Sequence, residues 1–193
     1  MAVARDQLLK QLEEKFCEIG RRLGYLELSV DDHPSCTSMI LSGEHGLHMH
    51  IDWRDYYLEV ALLRRVRGEL IPFGQDPQKR LCQIPLWYVY GVESPAGCVE
   101  FSRTEAYLLR CLDYYCMMIE AYPQTLIDFA ADMEENTSRE KTVAFYAGIE
   151  KYRLQRLEED RQAGRLTGEM YEFLMQGLRE QFRPLLQEPD AEE

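Results

Sequence analysis

The stretch Glu44-His45-Gly46-Leu47-His48-Met49-His50-Ile51-Asp52 holds three of the four histidines in the chain. Side chains two apart on an extended strand share a face, so His48, His50 and Asp52 point the same way. His45, in the turn before them, is within reach. Imidazoles and a carboxylate converging from one side form a zinc ligand set with a position left for an activated water. A solvated sheet face whose polar residues include histidine gives the same pattern. Two readings therefore stay open: a metal-binding protein or metal-dependent hydrolase using His45, His48, His50 and Asp52, or a polar strand that holds nothing.

Other chemistry is thinly represented. Asp128, Asp132 and Glu135 fall on one helical face and could hold magnesium only if a second acidic helix, such as one carrying Glu158, Glu159 and Asp160, faced them. Cys98 is a lone thiol. No Walker loop, GxGxxG, GxSxG or HExxH is present, and no cofactor is expected. His48-Met49-His50 is similar to the HxH motif of amidohydrolase barrels, but such a barrel needs about 250 residues and strands alternating with helices.

The second set of candidates is aromatic. Trp53, Tyr57, Trp87 and Tyr88, with Glu59 among them, lie on strand-like runs, and aromatics on a strand face are what interface hot spots use. The formal net charge is −12, from 34 acidic and 22 basic residues, with no basic cluster beyond Arg64, Arg65 and Arg67. This argues against nucleic acid, whose binding rests on basic surface and counterion release, and points to a basic protein partner if to any. Six cysteines without a CxxC pair read as free thiols in a reducing compartment. The N-terminal residues lack a secretory apolar core, and no run approaches the roughly 18 apolar residues of a membrane span, so a cytoplasmic chain with no membrane partner is expected.

These residues have to be positioned by a small number of elements. Leu8, Leu12, Phe16, Ile19 and Leu23 define an amphipathic helix over 3–23 that stops near Gly24. Strands are expected over 25–30, 37–41, 47–53, 56–66 and 81–90, the last with Pro85 at an edge or a bulge. Residues 102–122 are apolar almost all the way round and read as an enclosed helix, opened by a capping box of Ser102 and Glu105 and closed by Pro123. A helix over 123–135 turns Leu126, Ile127, Phe129, Ala130 and Met133 inward. Helices over 139–163 and from Thr167 onward follow, the second with Met170, Tyr171, Leu174 and Leu178 as its inner face. Strands clustered before helices give an α+β class: an N-terminal helix, an antiparallel sheet of four or five strands, then four helices. The expected organisation is a core domain over 1–135, a helical hairpin over 136–183 and a disordered acidic tail over 184–193.

The run Leu154 to Leu178 resembles the SHOCT (short C-terminal) helical hairpin domain at Leu154, Leu157, Gly164, Leu166, Thr167, Glu169, Tyr171 and Leu178, although Gly168 stands where that family has an acidic residue. The resemblance implies an oligomerisation or docking element, hence a homodimer. An intramolecular hairpin explains the same residues. In layout the chain looks like bacterial toxin-immunity proteins and secretion chaperones. The expectation drawn from all this is a non-enzymatic protein-binding module, with the metal-dependent reading as the alternative.

Overall fold

The computed structural model describes residues 2–92 and 104–186, so the expectations placed on Cys98 and Ser102 lie outside the described residues. Its fold is α+β. The chain divides into two compact units, one of residues 1–74 and 82–134 and the other of 75–81 and 135–193.

In the first unit, helix α1 (Ala2–Arg22) precedes strands β1 (Glu27–Asp32), β2 (Cys36–Ser42), β3 (Gly46–Asp52) and β4 (Tyr57–Leu63). A tiny hairpin, β5 (Arg65–Val66) and β6 (Glu69–Leu70), and the short strand β7 (Gln83–Pro85) follow. The main sheet is antiparallel in the order β1-β2-β3-β4-β7. Register sets Met39, Met49 and Val60 in one row and Leu41, Leu47 and Leu62 in the next, all buried. α1 supplies Leu8, Leu12, Phe16 and Ile19 to the same core. Contact there is close: a Cβ on Gly20 would lie 2.4 Å from Leu41 Cδ1.

Helix α3 (Glu105–Ala121) runs parallel to α1, tied by ion pairs Lys15–Asp113 and Arg22–Glu120 that repeat at a seven-residue interval. It buries Tyr107, Leu108, Cys111, Leu112, Tyr115, Met118 and Ile119, while Met117 on its other side is exposed. Its N-cap is Thr104, extended and without a side-chain cap bond, so Glu105 opens the first turn and does not occupy the third position that a capping box requires.

Several expectations are corrected. The strand over 81–90 is three residues long and passes at Pro85 into helix α2 (Leu86–Val89). Proline has no N–H for the ladder, and its φ of −59° suits a helix entry, so an apolar run that reads as strand coils instead. The strand expected over 56–66 stops at Leu63, and Arg67 and Gly68, both at positive φ, form the turn between β5 and β6. The helix over 123–135 is split into α4 (Pro123–Ala131) and α5 (Met133–Asn136), and Ile127 is 51% exposed, on the solvent side of Leu126 and Ala130.

In the second unit, α6 (Arg139–Gln162) and α7 (Gly168–Leu186) form a hairpin, joined by residues 75–81 through Leu81 N donating to Thr142 Oγ1 at 3.1 Å and Arg139 donating to the Lys79 carbonyl at 3.1 Å. Gly164, at φ 70°, ends α6: its N–H bonds the Arg161 carbonyl and Arg165 N–H the Asp160 carbonyl, the double bond of a Schellman motif. Thr167 Oγ1 then accepts from Met170 N–H at 3.2 Å and opens α7. The inner face of α7 is rotated from the expected one. Phe182 is buried and packs on Tyr146, whereas Met170 and Leu174 are exposed. Pro184 lies inside α7, two residues before its end, and does not end the helix.

Candidate functional site

Strand alternation brings Ser38, His48, His50, Asp52, Tyr57 and Glu59 to the sheet face opposite the Met39–Met49–Val60 row. Register makes Ser38, His50 and Glu59 one cross-strand row and Cys36, Asp52 and Tyr57 the next. The histidines and two of the aromatic-site candidates, separate in the sequence argument, are therefore neighbours.

His48 is fully buried. Its Nε2 lies 2.9 Å from Ser38 Oγ, and its Nδ1 lies 3.3 Å from Gln83 Oε1 on β7. Because the amide oxygen only accepts, the proton sits on Nδ1 and the hydroxyl donates to Nε2: a neutral imidazole with both nitrogens engaged. Burial pushes its pKa down to about 4 against the Gln83 bond, which favours the cation, and His50 adds to the fall. Burial lowers His50 as well, with Asp52 opposing, and its Nδ1 is buried with no hydrogen-bond partner. Phe73 stands edge-on over both rings, at 5.1 and 5.2 Å.

The other proposed ligands are used differently. Asp52 Oδ1 accepts from the N–H groups of Arg54 (2.8 Å) and Asp55 (3.2 Å), which shapes the β3–β4 turn. Burial by itself would raise that carboxyl, but those two amides and Arg54 hold it below the usual carboxylate range. His45 sits in the β2–β3 turn with Nδ1 buried and unbonded. Among the described residues no three His, Cys, Asp or Glu side chains are grouped as a metal site would need.

Four of the five partner-contact candidates converge at the β4–α2 corner. Tyr57 donates to Glu59 Oε2 at 2.5 Å, the Trp87 indole lies beside Glu59, and Tyr88 packs edge-on against Trp87 at 6.2 Å. Burial raises the Glu59 carboxyl, and the tyrosine and indole donors work against that rise. Burial also raises the Tyr57 hydroxyl, so it stays a donor. Tyr88 remains 37% exposed.

Trp53 lies apart, on the α1 side of the sheet. Its indole donates to Thr37 Oγ1 at 2.7 Å, Arg5 stacks on its ring at 4.7 Å, and Arg5 pairs with Asp32. Trp53 is a packing residue there, tying the N-terminus of α1 to the sheet.

Ser38, Phe73 and Gln83, which complete the histidine environment, carry no local signal of that role. The pairing of β2 with β3 and of β4 with β3 and β7 puts Ser38 and Gln83 there, and the loop after β6 brings Phe73. Comparison with protein-family models, with curated proteins and with solved structures gave no match.

Proposed function

We propose that the chain is a non-enzymatic protein-binding module, immunity-type or chaperone-like in use, which contacts a basic partner through the Trp87–Tyr88 corner. One observation carries this reading: Trp87 and Tyr88 stack edge-on beside the hydrogen-bonded Tyr57–Glu59 pair, with Tyr88 still open to solvent. An aromatic fixed before binding loses little side-chain entropy when it docks, which is how a small surface comes to dominate an interface. The net charge of −12 supports a basic partner, and the free thiols of Cys17, Cys36, Cys82, Cys111 and Cys116 support a reducing compartment.

Affinity capture with wild type and Tyr88→Ser in parallel tests the reading. The expected result is a discrete basic protein retained by wild type, lost from the variant and released as salt rises. Identical recoveries from both proteins would overturn it.

Self-association is a second reading, favoured by Met170, Phe173 and Leu174, which line an exposed stripe of α7 with Phe173 78% exposed. On this reading the light-scattering mass falls from dimer to monomer in Phe173→Ser. An unchanged monomer mass in both proteins removes it. The metal reading rests on His45 and His50, the two imidazoles with an uncommitted Nδ1, and elemental analysis of untagged protein decides it.

A further inference from the structure

β1 is an edge of the main sheet, with no strand outside it among the described residues. His33 N–H bonds the Cys36 carbonyl at 2.8 Å, so the antiparallel alternation directs the backbone groups of Ser29 and Asp31 to β2 and those of Leu28 and Val30 outward. Leu28 and Val30 lie on the same face of the sheet as the Met39 and Leu41 core residues opposite them, and Leu26 precedes them at the same alternation. That row is left uncovered: Leu26 is 77% exposed, Val30 44%, and Leu28 half-buried. On the other face stand Ser29 and two acids, Glu27 and Asp31, four residues apart. His33 Nε2 lies 3.2 Å from Asp31 Oδ1. Asp32 is already paired with Arg5.

We infer that β1 accepts an extended segment of a basic partner protein as an added antiparallel strand, with apolar residues over Leu26, Leu28 and Val30 and Lys or Arg opposite Glu27 and Asp31. Main-chain bonds to Leu28 and Val30 hold the segment, and its basic residues, four apart, set its register. A second copy of this chain offers no basic side chain on β1 to face Glu27 and Asp31, and one register of β1 with itself, with Leu28 opposite Val30, sets Glu27 against Asp31 twice. The inference rests on the reading of the chain as a protein-binding module, but it uses a surface that Tyr88 does not share.

The probe is the peptide Val-Lys-Val-Thr-Val-Lys-Val, with the Glu-for-Lys peptide as control, added to the full chain at low salt, where charge attraction is least screened. Hydrogen exchange is read at individual amides. The expected result is slowed exchange at Leu28 and Val30, binding on the order of tenfold weaker for the Glu peptide, and the reverse preference in Glu27→Lys/Asp31→Lys. Tyr88→Ser should leave all of this unchanged, which separates failure here from failure of the aromatic corner. Equal binding of the two peptides by wild type overturns the proposal. So does the absence of protection at Leu28 and Val30, or their protection without peptide together with a doubled mass, which would make the occupant a second copy.

Discussion

His48 ties the fold to pH through a single side chain. It is a neutral imidazole locked between Ser38 and Gln83, with a pKa near 4 in the folded protein against about 6.5 in an unfolded chain. The sign follows from proton counting. Between those values the unfolded chain binds a proton that the folded one does not, so stability present above pH 6.5 is lost as pH falls toward 4, at up to about 1.4 kcal/mol per pH unit. We expect His48→Gln to flatten the decline in unfolding free energy between about pH 6.5 and pH 5, measured by urea titration. Parallel curves for variant and wild type would contradict the assignment. Alternation alone showed that His48, His50 and Asp52 share a face. It could not show that Ser38 and Gln83 absorb the bonding capacity of His48, or that Asp52 is spent on its turn, because those partners are fixed by strand register and turn shape.

Elements show the same division between local and long-range information. α1, the first strands and the Gly164–Thr167 connection follow from residue type at fixed offsets. Gly164 has φ 70° and open space around its Cα, so its need is conformational alone. Gly164→Ala should cost on the order of 1 kcal/mol in the α6–α7 hairpin, read as a lower melting temperature, with no change in partner capture. An unchanged melting temperature would mean that the turn is not held as described. Gly46 differs. A Cβ there would lie 2.7 Å from Leu70 Cδ1 and 3.2 Å from Leu63 Cβ, so Gly46→Ala should destabilise by turning the Leu70 side chain away and crowding Leu63. Thermal melting checks both: a lower melting temperature is expected in each variant. The run Leu81 to Tyr90 misled because short apolar stretches have no period that tells strand from helix. Ile127 and Met170 misled because a helix pattern fixes an apolar arc but not which edge of the arc is covered.

For the whole molecule, an acidic α+β chain carries an aromatic corner and, among the described residues, an open sheet edge with Glu27 and Asp31 on it. Its charge and class were legible from composition and element order. The joining of the histidine strand to the aromatic corner was not, since it depends on His50 lying opposite Glu59 and Asp52 opposite Tyr57. No described helix is long and apolar enough to cross a membrane. The central claim is that a protein partner docks at the Trp87–Tyr88 corner. Its most direct test is a photoreactive benzoyl-phenylalanine placed at Tyr88, with the same group at exposed Lys10 as control, irradiated in living cells. The account predicts a discrete adduct with a basic protein from position 88 and none from position 10. No adduct at position 88, or the same set of adducts from both positions, would contradict it.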